Sequence, residues 1–160
     1  VFTKEINNIL KLYISKINKK IFKPGDSACL KRYVYNDDII TRFLHIKLLP
    51  LIENIINKKL VPTYTYLSLY RKGAELDIHS DRKECEYTVS YLIDKSEDSN
   101  WAIYFNKKRG NMSINKNDLL ELYCNNNEFL LFEGINHLHF RNELKFDYYN
   151  ILLFHYNEKK

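Results

Sequence analysis

The chain is poor in the residues that staple or anchor a protein. Only three cysteines occur in 160 residues, Cys29, Cys85 and Cys124, and they form no C-x-x-C pair. An odd count without such a pair suggests neither a disulfide framework nor a zinc–thiolate centre, and points to a reducing, cytoplasmic setting. No apolar run reaches the ~18–20 residues that span a bilayer, so no membrane segment is expected. The first apolar residues are interrupted by Lys4, Glu5, Asn7, Asn8 and Lys11, which does not match a secretory signal. Internal repeats and low-complexity linkers are missing too. Basic residues exceed acidic ones by 25 to 20, a net charge of +5, but they are scattered apart from short runs such as Lys107-Lys108-Arg109. Without a coherent basic stripe, no nucleic-acid partner is expected.

What the chain does have is apolar and aromatic side chain, 45% and 14% of its residues. That is enough for one domain, 1–160, to fold without staples. Its first part, 1–60, reads as helical. Phe2, Ile6, Ile9, Leu10, Tyr13, Ile17 and Ile21 recur at three- and four-residue steps, and Pro24-Gly25-Asp26 is expected to end that helix. A second helix, capped by Asn36 or Asp37, carries Ile40, Phe43, Leu44, Leu48 and Ile52, and Pro50 is expected to kink or split it. Across 61–157 the pattern changes to short runs of strand-forming residues, at 63–70, 87–93, 101–105, 119–123, 129–132 and 148–156. Gly73, the polar stretch Lys95 to Asn100, Lys107 to Gly110, Asn125 to Asn127 and Gly134 separate them. Many short strands at this spacing specify a sandwich or closed barrel, giving an α+β, mainly β architecture with two helices packed on it.

The segment that carries chemistry is Tyr70-Arg-Lys-Gly-Ala-Glu-Leu-Asp-Ile-His79-Ser-Asp81. If residues 74–81 are extended, alternation turns His79 and Asp81 to the same side, one pleat apart. Two further histidines, His137 and His139, follow in Gly134-Ile-Asn-His137-Leu-His139-Phe-Arg141. Two imidazoles and one carboxylate form the facial ligand set of non-haem Fe(II) oxygenases, which leaves three coordination positions free. H-x-D alone occurs by chance in many chains. Its context raises it: Tyr70 and Gly73 before it, Arg82 and a strand after it, and the run Phe129 to Gly134 leading to the distal histidines. His137 and His139 have the same strand parity, so alternation does not choose between them.

With these residues in place, the region from Val61 to Tyr156 resembles the compact 2-oxoglutarate/Fe(II)-dependent dioxygenases, the prolyl-hydroxylase-like and AlkB-like branch. The resemblance implies a double-stranded β-helix (a jelly-roll barrel) buttressed by the N-terminal helices. It implies that His79, Asp81 and His139 hold Fe(II), since Gly134, His139, Phe140 and Arg141 reproduce a spacing seen in that family. Tyr70, nine residues before His79, matches a tyrosine that touches the cosubstrate there. The chain departs from the family where many members carry an Arg or Lys about ten residues past the distal histidine; Tyr149 and Asn150 stand here. Arg141 is the replacement the sequence offers for the cosubstrate carboxylate, with Lys145 second. The implied activity is hydroxylation of an unactivated C–H in a peptide, amino acid or small metabolite, using dioxygen and 2-oxoglutarate and releasing succinate and CO2. A non-catalytic barrel that binds metal or ligand, or a cupin-like metalloenzyme with another cosubstrate, are the alternatives. Outside the motif, His45 and His155 read as packed structural residues, Tyr64, Tyr66, Tyr87 and Tyr91 as sheet-face packing, and Trp101 as core.

Overall fold

The computed structural model describes residues 2–96, 100–110 and 113–160. Helix α1 spans Lys4–Lys16, with the Thr3 hydroxyl capping its first turn. It ends at Ile17, well before the expected stop at Pro24, because Asn18 starts a separate short turn over Lys19–Ile21. Two strands that the helical reading missed follow, β1 (Lys23–Pro24) and β2 (Arg32–Asn36). Their alternation is short and was masked by the neighbouring helical periodicity. Helix α2 runs unbroken over Ile39–Ile56 with Pro50 inside it, so the expected split does not occur. Its cap is Asp38, whose carboxylate accepts from the backbone of Ile40 and Thr41, while Asp37 adopts a left-handed φ of 53° just outside.

The remaining strands are β3 (Leu60–Arg71), β4 (Leu76–His79), β5 (Tyr87–Lys95), β6 (Ile103–Asn106), β7 (Leu119–Leu122), β8 (Phe129–Phe132), β9 (His139–Arg141) and β10 (Tyr148–Glu158). The polar stretch expected at Lys95 to Asn100 falls partly on residues 97–99, outside the described ones. The strands form two antiparallel sheets, a large one in the order β1-β2-β3-β10-β5-β8 and a small one in the order β4-β9-β6-β7. This is the double-stranded β-helix. None of the described helices is long and apolar enough to cross a membrane.

Apolar packing splits into two clusters. Leu10 and Ile14 of α1 and Leu44, Leu48 and Ile52 of α2 cover the outer face of the large sheet at Leu67, Val89, Leu152 and Phe154. Burying such faces is what holds amphipathic helices to a sheet. A second cluster around Tyr70, Trp101, Leu144, Phe146 and Tyr149 fills the barrel interior. A cavity of 730 Å³ opens between the two sheets, lined among others by Tyr66, His79, Asp81, His139 and Arg141.

Candidate metal centre

His79 ends β4 and His139 begins β9, and the two residues stand directly opposite each other in the antiparallel pairing. Cross-strand neighbours of this kind bring side chains into contact on one face, and the two rings lie 4.4 Å apart. Both imidazoles fold back on their own strands in the same way. Nδ1 of His79 donates to the carbonyl of Asp77 at 2.7 Å, and Nδ1 of His139 donates to the carbonyl of His137 at 2.9 Å. Each ring therefore turns its Nε2 inward. Both atoms face the same carboxylate oxygen, Asp81 Oδ1, at 3.7 and 3.6 Å.

Those distances are too long for hydrogen bonds. They are also close to the ~3 Å that separates adjacent ligand atoms bonded to one ion at ~2.1 Å. The three donor atoms lie within 4.8 Å of one another. Fixing Nδ1 on a backbone carbonyl selects the tautomer that leaves Nε2 as a ligand. Burial and the neighbouring His139 lower the pKa of His79, which favours the neutral, metal-binding form. Burial opposes ionisation of Asp81, but His139, His155 and His79 outweigh it and hold the carboxylate below its usual range.

The second oxygen of Asp81 is occupied by protein. The Thr88 hydroxyl donates to Oδ2 at 3.0 Å, so His155 Nδ1, 3.0 Å from the same hydroxyl, must donate to it. Gly134 presses on the other side: a Cβ there would sit 2.0 Å from Oδ2 and 2.8 Å from the Cys85 carbonyl. The Asp81 amide also donates to the Gly134 carbonyl at 2.9 Å. Cys85 and His155 form another potential ligand group with Asp81. Burial pushes the Cys85 thiol up to about 11, which keeps it protonated, and its Sγ is engaged by the Tyr64 hydroxyl at 3.0 Å. Thiolate coordination at neutral pH is thereby disfavoured. Thr88 carries no motif in the sequence; only its place opposite His155 across β5 and β10 exposes its role.

No protein-family model matches the chain, and no curated protein matches it. Solved structures do. HygX from Streptomyces hygroscopicus, with nickel, 2-oxoglutarate and hygromycin B bound, superposes with a TM-score of 0.73 at 13% identity, over 99% of this chain and 80% of that one. A prolyl-4-hydroxylase from Pseudomonas putida gives 0.71 at 10% identity, over 99% and 89%. A 2OG-Fe(II) oxygenase family oxidoreductase from Burkholderia pseudomallei gives 0.71 at 9% identity, over 98% and 79%. The fold is that of the 2-oxoglutarate/Fe(II) oxygenases.

Within that fold the remaining candidates separate clearly. His137 turns away, with Nδ1 on the Asn106 carbonyl at 2.9 Å, and belongs to no ligand group among the described residues. Lys145 is exposed and pairs with Glu143. Arg141 is 3% exposed and lines the cavity. It donates to the Trp101 carbonyl at 2.5 Å and sits over the rings of Trp101 and Tyr149, at 4.7 and 5.2 Å. No carboxylate lies within 4.0 Å of it among the described residues. Tyr70 is buried, edge-on to Trp101 at 4.9 Å, and its hydroxyl accepts from Arg32. Tyr64 and Tyr66 line the cavity rather than only packing on a sheet face, and His155 lines it as well. Arg32, on a strand read as part of the helical region, was missed.

Proposed function

We propose that the chain is an Fe(II)- and 2-oxoglutarate-dependent dioxygenase that hydroxylates a C–H bond of a peptide, amino acid or small metabolite. The observation that carries this reading is the convergence of His79 Nε2, His139 Nε2 and Asp81 Oδ1, three acceptors aimed at one point. Acceptors so arranged repel one another unless a cation lies among them, and two imidazoles with one carboxylate suit Fe(II). The bound nickel and 2-oxoglutarate of HygX support a metal and this cosubstrate here. When bound, the iron supplies dioxygen activation coupled to decarboxylation of 2-oxoglutarate, which gives succinate and CO2.

The protein's own residues do the rest. Thr88 and Gly134 hold Oδ2 of Asp81, leaving Oδ1 for the metal and favouring one-oxygen coordination. Phe105 and Phe132 pack on the His139 ring at 5.4 and 5.3 Å, keeping water from that side of the site. Arg141 is a buried guanidinium without a carboxylate partner, a costly arrangement that an anionic cosubstrate relieves. On this reading it binds the distal carboxylate of 2-oxoglutarate, and Tyr70, whose hydroxyl is held by Arg32, lines the same cavity. That unpaired cation favours an oxygenase over a barrel that binds metal alone. The test is succinate release from 2-oxoglutarate by the iron-loaded protein. Turnover abolished by His79→Ala supports the assignment; no turnover, coupled or uncoupled, and no 2-oxoglutarate binding to the metal-loaded protein would sink it.

A further inference from the structure

Arg32 is one of three guanidinium side chains that line the cavity, with Arg141 and the exposed Arg82, and the proposed chemistry leaves it unused. Its side chain is 8% exposed, and it lies between the rings of Tyr66 and Tyr70, at 5.4 and 5.8 Å. Among the described residues, two of its five N–H donors have partners. Nη1 donates to the Tyr70 hydroxyl at 3.3 Å and Nη2 to Asp26 Oδ1 at 2.8 Å, while Nε is buried with no partner. An unsatisfied buried donor on a charged group is costly. Asp26 is different: its side chain is 47% exposed, and it lines the same cavity. A buried cation with spare donors thus stands beside an accessible anion, within electrostatic reach of His79.

Arg32 packs on Tyr70 and Arg141 on Trp101, two rings that meet edge-on. Arg141 shares β9 with His139 and has no carboxylate; Arg32 sits on β2, outside β3, and shares its charge with Asp26. A small dicarboxylate held by the metal and Arg141 leaves Arg32 for a different molecule. A second carboxylate alone would be repelled by Asp26. A ligand carrying a carboxylate and an ammonium on the same carbon satisfies both groups at once, the carboxylate on the planar fork of Arg32 and the ammonium on Asp26.

We propose that Arg32 and Asp26 form the primary-substrate subsite of the cavity and that the substrate is a free α-amino acid. This rests on the oxygenase reading. Buried Arg32 gives the stronger discrimination, because an analogue lacking the carboxylate leaves its spare donors unsatisfied, and the half-exposed Asp26 adds the preference for an ammonium.

The test is anaerobic calorimetry on the Fe(II)- and 2-oxoglutarate-loaded protein. The probes are the common L-amino acids, their carboxamides and their N-acetyl derivatives. At least one free amino acid should bind ten-fold or more tightly than both of its derivatives. Arg32→Gln should erase the preference over the carboxamide, and Asp26→Asn the preference over the N-acetyl form. Arg32→Lys keeps the charge and the Asp26 contact but loses the fork, and should recover only part of the affinity. The proposal is overturned if no free amino acid binds, if the derivatives bind equally well, or if Arg32→Gln weakens 2-oxoglutarate as much as Arg141→Gln does. Failure of 2-oxoglutarate to bind the wild-type metal-loaded protein would instead remove the oxygenase reading. Repeating the amino-acid titration without metal then reads the Arg32–Asp26 subsite by itself.

Discussion

His45 and His155, at the helix-backed large sheet, and His79 and His139, at the small sheet, are two pairs of histidines put to opposite uses. His45 is fully buried on α2 against Phe154 and Tyr156, and its Nε2 donates to the His155 carbonyl at 2.9 Å. That carbonyl lies where β10 shifts register between Phe154 and Tyr156, which frees it to accept from outside the ladder. The imidazole serves as a bolt between helix and sheet. At the small sheet each imidazole bonds its own strand and offers its second nitrogen to a shared point. His45, His155 and His139 are buried, and His79 is partly exposed. The difference is where the free ring nitrogen looks: into apolar packing for His45, to the Thr88 hydroxyl for His155, and at a carboxylate for His79 and His139.

The largest expected effect tests that division directly. His79→Ala should abolish succinate release and remove the rise in melting temperature that Fe(II) gives the wild type, while leaving the metal-free protein nearly as stable as before. His45→Ala should do the reverse, costing about 2–4 kcal/mol in urea unfolding and keeping metal-dependent stabilisation. If His79→Ala destabilises the metal-free chain as much as His45→Ala, the contrast between the two pairs fails.

Gly134→Ala comes next. The new methyl group displaces the Asp81 carboxylate, and Fe(II) affinity should fall by about 100-fold, the upper end for disturbance of a ligand's supporting contacts. Thr88→Val removes one bond to Oδ2 without adding bulk, so a loss of about 10-fold is expected, largely restored in Thr88→Ser. Metal titration of the three variants orders them; a Thr88→Val protein with wild-type affinity would show that the hydroxyl does not position Asp81. Arg141→Gln should raise the KM for 2-oxoglutarate by about 10-fold or more with metal affinity little changed.

A separate effect concerns acid. Burial lowers the pKa of His45 to about 3 and of His155 to about 4, below the unfolded value of about 6.5. The unfolded chain binds more protons in that interval, so stability contributed by these groups is present above pH ~6.5 and lost as the pH falls toward their folded values. Urea midpoints of the metal-free protein should decline from pH 6.5 to 4. The slope should flatten in His45→Phe, and an unchanged slope there would remove His45 from the account.

Much of this was legible before any coordinates. The strands at 129–132 and 148–156 follow from alternation, a local, two-residue property, whereas β4 ends at His79 and Asp81 meets it from the loop beyond rather than one pleat along a strand. The boundaries that moved are those set by competing local bonds. Asn18 captures a turn after α1, Asp38 takes the cap from Asp37, and the unbroken ladder elsewhere in α2 carries the chain past Pro50.

Other features had no local signature. His137 and His139 share parity, and only the antiparallel register that sets His139 opposite His79 separates them. Likewise, the unpaired state of Arg141, the hold of Thr88 on Asp81 and the meeting of Arg32 with Asp26 at the cavity depend on which strands become neighbours. The sequence by itself determined which residue types could serve a metal and how each strand alternates, since both are properties of the chain over a few residues. Only the tertiary structure decided which of them face one another, since closing two sheets around a cavity joins residues 60 positions apart, such as His79 and His139.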